Sequence, residues 1–450
     1  MRLLPFVLLA FSVSAWSADA PATKNVVIIL VDDFGYECVT ANGGESYKTP
    51  NVDALAAGGM RYECGYTTPL CTPTRMQLMT GQYNIRNYVD FGEMDMKQQT
   101  FGHWFRDASY ATGIFGKWQL GADHDRPKHF GFDTSYLWQV VRRPPRYANP
   151  GIETNHMNLD FIRGEYGPDL VNEQVCKFIT TNKDKPFMAY YPMILTHDPY
   201  EPTPDSPEYT KEALGPEGSA VRVKHNKYFT DMVAYMDKMV GNVVRTLETN
   251  GLRNNTMIVF LGDNGTGTSI TSQFKGKPYQ GAKGKTIERG MHIPFIINQP
   301  GTVRVGVSHD LVDTTDIIPT VLDATGLKRP AWQLDGVSQW PALIGKPYVK
   351  REWTYCWYAP RMDKVDEFVR GPTLKLKRDG RIFDLLTDLD EKSPLTAEQL
   401  PENRRAELAT LQAGLAQYAN ARPEWAEAAI AAQRKGGKGK TKDKAKEEEN

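Results

Sequence analysis

Two short apolar segments, each followed directly by oxygen-bearing side chains, constrain the fold of this chain more than any other feature. Residues 26–31 (VVIILV) and 257–261 (MIVFL) contain no polar residue, which is typical of strands buried on both faces of a parallel sheet. The side chains that follow them are Asp32 and Asp33 after the first segment, and Asp263 and Asn264 after the second. Because open α/β sheets bind ligands outside the carboxyl ends of their strands, these four side chains are candidates for one site.

The stretch between the two segments contains a helical pattern. Apolar side chains recur at helical spacing from Tyr228 to Leu247, and Asn250-Gly251 supplies a stop signal. Strand and helix patterns alternate in this way from residue 26 to about residue 325, which predicts a parallel α/β sheet covered by helices. From about residue 345, short alternating segments precede a helix-rich stretch, 401–433, and predict a smaller α+β subdomain.

The two ends of the chain differ in composition from the part between them. Arg2 precedes an apolar run and a cluster of small residues, so residues 1–20 are predicted to be a signal peptide, and the protein to be periplasmic or secreted. We expect no membrane span, because the run is shorter than about 20 residues and no later segment replaces it. The divisions expected after it are a main α/β domain (21–344), the α+β subdomain (345–433) and a Lys-rich disordered tail (434–450).

Charge and cysteine content narrow the possible functions. The chain has 54 Lys plus Arg and 54 Asp plus Glu, so its formal net charge is zero and no overall field attracts nucleic acid. Nucleic-acid binding is therefore not expected. The chain has five cysteines, and an odd number leaves at least one thiol unpaired even where disulfides form.

One of these cysteines lies in a specific motif. Residues 69–81 (PLCTPTRMQLMTG) contain Cys-x-Pro-x-Arg followed by a helical run that ends in Thr-Gly. Pro73 favours the first turn of a helix, so Cys71 is expected near a helix N-terminus, where unpaired amides attract anions. The motif resembles the hallmark of the formylglycine-dependent sulfatases. The resemblance implies that a maturation enzyme oxidises Cys71 to formylglycine, whose hydrated aldehyde supplies the nucleophile, and that Arg75 braces it.

A second block resembles another signature of the same family. Residues 110–121 (YATGIFGKWQLG) match Gly-Lys-Trp-His-Leu-Gly except that Gln119 stands in place of the histidine. The resemblance assigns sulfate binding to Lys117. An amide cannot accept a proton at neutral pH, so the base that the histidine would supply must be another group, and Asp263 is the candidate.

Three further parts of the family pattern are present. The resemblance implies that His197 donates a proton to the leaving alcohol and that Lys283, in Gly-Ala-Lys-Gly, binds the sulfate near its bridging oxygen. It also implies a divalent metal, with the ligands Asp32, Asp33, Asp263 and Asn264. Carboxylate and amide oxygens favour Ca²⁺ or Mg²⁺ over Zn²⁺.

The resemblance extends from about residue 25 to about residue 420 and implies an alkaline-phosphatase-like fold, a large mixed sheet between helices with a smaller C-terminal sheet. It favours a sulfuric-ester hydrolase acting on a sulfated carbohydrate. Two alternatives remain, a phosphonate monoester or phosphodiester hydrolase of the same superfamily, and a glycan-binding scaffold in which Cys71 stays a thiol. Arg142, Arg143 and Arg146 lie in a Pro-containing loop, where they either meet a polyanion or are solvated.

Overall fold

A mixed β-sheet runs through the centre of the molecule in the computed structural model, which describes residues 23–209, 225–361 and 364–426. In sheet order its strands are β14 (Gly306–Asp313), β2 (Met60–Tyr66), β13 (Phe295–Asn298), β10 (Thr256–Gly262), β1 (Asn25–Val31), β9 (Phe187–Pro192), β5 (Ala111–Lys117), β6 (Thr134–Trp138), β7 (Gly151–Thr154) and β8 (Met157–Asp160). The predicted signal peptide, the predicted tail and the end of the predicted helix-rich stretch lie outside the described residues.

The two apolar segments of the sequence are the neighbouring strands β1 and β10. They pair in parallel from Asn25 opposite Thr256 to Val31 opposite Gly262, so both end at the same edge of the sheet. Strands β9, β5 and β6 continue the parallel arrangement, and β14 is parallel to β2. Both segments lie inside the sheet with a strand on each side, and this confirms that they are buried, as predicted.

The prediction of an all-parallel sheet is wrong at two strands, whereas the mixed sheet implied by the family resemblance is confirmed. Strand β13 runs antiparallel to β10 and β2, and β7 runs antiparallel to β6 and β8. Parallel neighbours need a long crossover, usually a helix, and the segment between β10 and β13 contains just one four-residue helix, Glu288–Met291. The chain therefore returns beside β10 in the opposite direction.

Helices cover both faces of the sheet because the central strands are apolar on both faces. In β1, Val27, Ile29 and Val31 pack into one hydrophobic cluster, and the alternate side chains pack into the other. The longer helices are α1 (Pro50–Ala57), α2 (Cys71–Thr80), α4 (Phe101–Asp107), α6 (Gly167–Thr181), α7 (Tyr228–Thr249) and α9 (Ile317–Thr325), and the four-residue helices are α3 (Asn84–Asn87), α5 (Arg126–His129), α8 (Glu288–Met291) and α10 (Trp340–Leu343). Helix α7 is the helix predicted from Tyr228 onward. Within the described ranges, no helix combines the length and the apolar character needed to cross a membrane.

The remaining strands form two hairpins and a small sheet. The hairpins pair β3 (Tyr88–Asp90) with β4 (Glu93–Met94), and β11 (Thr271–Phe274) with β12 (Lys277–Gln280). The small antiparallel sheet consists of β15 (Thr354–Tyr358), β16 (Asp366–Arg370), β17 (Leu374–Lys377) and β18 (Ile382–Asp384), with α11 (Glu402–Ala416) packed on it. It is the small C-terminal sheet that the family resemblance implies, while the exact domain boundaries stay a prediction.

A buried arginine joins the small sheet to the large one. Arg351, just before β15, donates to both carboxylate oxygens of Asp316, one of them at 3.0 Å, and to the hydroxyl of Tyr83 at 2.8 Å. Its Nη1 also lies 3.6 Å from Asp313 Oδ2. Asp313 and Asp316 are both buried, so the guanidinium neutralises charge that the solvent does not reach.

We predict that Arg351→Met lowers the free energy of unfolding by about 3–5 kcal/mol, because it leaves two buried carboxylates without their cation. Denaturant unfolding of the metal-loaded protein measures the loss. The matched control is Arg329→Met, since Arg329 forms an exposed pair with Asp323 at 2.7 Å, and its loss is expected to stay below about 1 kcal/mol. Equal losses in the two variants would show that Arg351 does not join the sheets in this way.

Candidate active site

The site lies at the carboxyl edge of the large sheet, where the backbone sets the positions of its side chains. The amide of Asp263 donates to the carbonyl of Val31 at 2.9 Å, which aligns the ends of β10 and β1. The amide of Thr196, beyond β9, donates to the carbonyl of Asp32 at 2.8 Å. The residues that follow β1, β10 and β9 are therefore held beside one another, as their positions at the ends of strands predicted.

Cys71 is the first residue of α2, as its motif predicted. The side chain is 2% exposed, and every residue of α2 is buried. The thiol donates to the amide oxygen of Gln119 at 3.1 Å. Burial raises the pKa of Cys71 above its ordinary value, so the unmodified side chain is a neutral thiol at physiological pH.

Arg75, one turn along α2, bridges three parts of the site. Its Nη2 donates to Asp263 Oδ2 at 3.1 Å and lies 3.8 Å from Asp32 Oδ1. Its Nη1 donates to the backbone carbonyl of Lys117 at 3.1 Å. A fully buried guanidinium thus links α2 to the ends of β1, β10 and β5, and this linkage holds Cys71 next to the carboxylates.

Two lysines complete the cationic part of the site. Lys117, the last residue of β5, lies 2.8 Å from Asp32 Oδ2, and Lys283 lies 2.6 Å from Asp33 Oδ2. Burial lowers the pKa of Lys283, but the charge of Asp33 outweighs this effect and the pKa lies above its ordinary value. Lys283 is therefore an ammonium group in the free protein at neutral pH.

His197 follows β9 and contacts Lys283. The ammonium donates to His197 Nε2 at 2.9 Å, and because an ammonium has no acceptor, Nε2 must accept. The ring proton is consequently on Nδ1, which faces the carbonyl oxygen of Asp198 at 2.7 Å. Nδ1 also lies 2.9 Å from Asp198 Oδ1, and this side-chain hydrogen bond is the main reason why the pKa of Asp198 falls to about 2.

The buried cations keep Asp32 ionised, whereas Asp263 remains crowded by its neighbouring carboxylates. Burial raises the pKa of Asp32, but Lys117, His197 and Arg75 outweigh it and hold the pKa well below its ordinary value. Burial and the charge of Asp32 raise the pKa of Asp263 to about 8. Such crowding of carboxylates is relieved by a cation bound between them.

The buried oxygens fit a metal of the kind the family uses. Asp32 Oδ1 and Asn264 Oδ1 are buried without a hydrogen-bond donor. Asn264 turns its amide nitrogen to Asp33 Oδ1 at 2.9 Å, which leaves its oxygen available. Ligand atoms of Asp32, Asp263 and Cys71 lie within 4.8 Å of one another. Hard oxygen donors without hydrogen bonds suit Ca²⁺ or Mg²⁺.

The hypothesis that Asp263 acts as a base stays a prediction. Its carboxylate lies close to Cys71, as the hypothesis requires. Each oxygen already accepts a hydrogen bond, Oδ1 from the amide of Asp33 at 2.9 Å and Oδ2 from Arg75. Gln119 has a φ of 54°, in the left-handed region, and this backbone turn directs its amide to the Cys71 thiol.

The sequence analysis missed several side chains that line the cavity above Cys71. The cavity has a volume of about 410 Å³. Its walls include Phe91, Trp138, Tyr147, Glu201 and two of the three arginines of the Pro-containing loop, Arg143 and Arg146. No motif marks the four residues other than the arginines. Trp138 ends β6 and the other three lie in loops, and tertiary packing decides that they line this cavity. Arg142 instead pairs with Asp160 at 2.7 Å.

All five cysteines are free thiols.

The mixed sheet and the solved structures that share this architecture give the protein an alkaline-phosphatase-like fold. Ps i-CgsB superposes with a TM-score of 0.73 at 24% identity, over 89% of this chain and 94% of that chain, and has also been solved with k-i-k-neocarrahexaose. A phosphonate monoester hydrolase of Agrobacterium radiobacter superposes with a TM-score of 0.66 at 18% identity, over 88% and 95% of the two chains. At these identities the likeness concerns the fold alone.

Sequence comparison gives the family within this class. A family profile described as Sulfatase matches residues 24–327. N-acetylgalactosamine-6-sulfatase of Mus musculus is 28% identical over 373 residues, covering 73% of this chain and 68% of that protein. Arylsulfatase A of Bos taurus is 28% identical over 389 residues, covering 77% and 72%. The chain belongs to the sulfatase family and is a sulfuric-ester hydrolase, as the sequence motifs predicted.

We predict that chelator-treated protein gains thermal stability when Ca²⁺ or Mg²⁺ is added, because the ion binds the folded state alone. The gain is about 2.7 kcal/mol at a metal concentration one hundred times the Kd. Calorimetry measures the gain, and elemental analysis measures the bound metal.

Asp33→Asn is expected to reduce both the bound metal and the stability gain. The control is Asp198→Asn, which changes an exposed carboxylate on the neighbouring loop and should leave metal binding intact. Full metal content in Asp33→Asn, or no gain in the unaltered protein, would contradict the assignment of the ligands.

Proposed function

We propose that this sulfuric-ester hydrolase removes sulfate from a sulfated carbohydrate, with Cys71 as the precursor of a formylglycine nucleophile and a divalent metal on Asp32, Asp33, Asp263 and Asn264. The observation that carries the proposal is the position of Cys71. It starts a buried helix beneath a cavity that Lys117, Gln119, His197 and Lys283 also line.

The cavity suits an anionic ester of a sugar. Its base is cationic, through Lys117 and Lys283, and the start of α2 adds unpaired backbone amides that attract anions. Its wall carries the exposed aromatic ring of Phe91, a surface of the kind that sugar rings pack against. Ps i-CgsB, which has the same fold, was solved with a carrageenan oligosaccharide.

The residues of the chain divide the chemical work. Formylglycine at position 71 would supply the attacking oxygen, and a divalent metal held by Asp32, Asp33, Asp263 and Asn264 would supply positive charge beside the sulfate. Arg75 and Lys117 orient the reacting groups from the sheet side. Lys283 and His197 hold one proton between Nζ and Nε2, and this proton is given to the leaving alcohol.

The burial of Cys71 limits when another enzyme can reach and modify it. A side chain that is 2% exposed, in a helix that is buried throughout, offers no access to a second enzyme. We infer that the maturation enzyme acts on Cys71 before the chain folds. This order is compatible with the predicted export of the protein to the periplasm or the medium. The modification would be complete before the chain folds in that compartment.

We predict that Cys71→Ala lowers kcat by about a thousandfold or more, because it removes the nucleophile. The stability of the variant should stay within about 1 kcal/mol, since little buried volume is lost. Hydrolysis of 4-nitrophenyl sulfate measures the activity. Cys356→Ala, at an equally buried thiol in β15, is the matched control and should retain activity.

Mass spectrometry of the peptide containing residue 71 completes this test. Activity should rise in proportion to the fraction of residue 71 that is lighter than cysteine. Fully active protein with unmodified Cys71 would refute the formylglycine proposal. Faster turnover of an aryl phosphonate than of the aryl sulfate would instead favour the phosphonate hydrolase alternative.

We predict that Gln119→Met lowers kcat by about tenfold, because it removes the amide that accepts a hydrogen bond from residue 71 and keeps the length of the side chain. Gln119→His should be tolerated, since His adopts the left-handed backbone region more readily than most residues and also offers an acceptor. Rates are normalised to the formylglycine content of each preparation. An unchanged kcat in Gln119→Met would show that the amide is not used.

A further inference from the structure

The loop between β6 and β7 brings two guanidinium groups to the cavity of the candidate active site. Arg143 and Arg146 both line this cavity. Their neighbour Arg142 does not, because its Nη2 lies 2.7 Å from Asp160 and its Nε lies 3.7 Å from Glu153. The sequence did not distinguish these three arginines. The structure places two of them at the cavity and pairs the third with acidic residues outside it.

Arg146 is held in place before any ligand binds. Its guanidinium lies over the ring of Trp138, 4.1 Å from the centroid, and the indole nitrogen of Trp138 donates to the carbonyl of Pro144 at 3.0 Å. The hydroxyl of Tyr147 donates to the carbonyls of Ile194 and His197, and so ties this loop to the loop that carries the proton donor. A cation fixed in this way loses little conformational freedom on binding.

Arg143 and Arg146 differ from the lysines of the site, because neither forms an ion pair with a described carboxylate. The two lysines of the site are each paired with an aspartate, whereas these arginines form no ion pair with any residue that the structure describes. Nη1 of Arg146 is buried and has no hydrogen-bond acceptor. Glu201, which also lines the cavity, has an interaction partner of its own. A guanidinium withdrawn from water without an acceptor is costly, and an anionic group on a ligand removes this cost.

In the proposed function, the sulfate that is cleaved binds other cations. A sulfate ester carries one negative charge, and in the proposed function that charge faces Lys117, Lys283 and the nucleophile at the base of the cavity. Arg146 lies on the wall formed by the β6–β7 loop and Trp138. A substrate whose one anionic group binds there would give Arg146 no anionic partner.

We propose that Arg146, assisted by the exposed Arg143, binds a second anionic group of the substrate, so that the enzyme selects carbohydrates that carry a further sulfate or a carboxylate near the sulfate that is removed. This inference rests on the proposed function. Both anions present paired oxygens that match the fork of a guanidinium. Arg146 makes the main contact because it is stacked and partly buried, and Arg143 adds attraction from the rim.

The test compares matched substrates that differ by one anionic group. One pair consists of a monosulfated disaccharide and the same disaccharide with a second sulfate. The other pair consists of a monosulfated disaccharide with a neutral sugar and its counterpart with a uronic acid. The measured quantity is the ratio of kcat/KM for the doubly anionic member to kcat/KM for the singly anionic member. Metal content and formylglycine content are determined for every preparation.

The unaltered enzyme should favour the doubly anionic member of one pair, and that pair identifies the second anion as sulfate or carboxylate. In Arg146→Gln the ratio should fall by about 10- to 100-fold, mainly through KM, because a charge-assisted contact is lost. In Arg143→Gln the fall should be smaller. Arg146→Lys should restore part of the ratio, since it keeps the charge without the planar fork. Arg142→Gln is the control and should keep the ratio of the unaltered enzyme.

The outcomes separate this inference from the proposed function. If formylglycine-bearing enzyme cleaves the singly anionic disaccharides but shows no preference in either pair, the inference is wrong and the proposed function stands. A preference that persists in Arg146→Gln would also refute it. If the enzyme cleaves none of the disaccharides and yet cleaves 4-nitrophenyl sulfate, the carbohydrate substrate itself is wrong, and the inference falls with it.

Discussion

Burial of carboxylates at one edge of the sheet determines how the rest of the site is built. Asp32 and Asp263 are fully buried, and the parallel pairing of β1 with β10 places them side by side. Buried charges of like sign need cations nearby, and the chain supplies Arg75 from α2 and Lys117 from β5. Because Arg75 is thus tied to the sheet, the start of α2 and its Cys71 lie beside the carboxylates.

The same interactions explain the difference between the floor and the walls of the cavity. The floor is formed by ends of strands and by a buried helix, whose positions follow from backbone pairing and buried ion pairs. The walls are formed by loops, among them the loop that carries Arg143 and Arg146. Loops vary more readily than the elements they join, so one hydrolytic floor can serve different sulfate esters. In this protein the wall is cationic and aromatic.

Much of this arrangement could be predicted from particular residues. The apolar runs at 26–31 and 257–261 predicted two central strands, and Pro73 predicted that Cys71 begins a helix; the structure agrees with both. The expectation of parallel strands throughout was wrong at β13, because strand order and direction depend on how the connecting segments pack. Trp138 and Tyr147 were missed, since a single aromatic residue at the end of a strand or in a loop carries no periodic signal.

What the sequence by itself determined is the local chemistry: which segments are apolar enough to be buried, which side chains follow them, and which motif contains the reactive cysteine. These properties depend on residues close together in the chain. Only the tertiary structure decided that Lys283 contacts His197 and that Gln119 accepts from Cys71. It also decided that Arg146 lies over Trp138 with no ion pair to a described residue, while Arg142 pairs with Asp160. Those contacts join residues from different loops and strands, and their distances exist only once the sheet and its helices have packed.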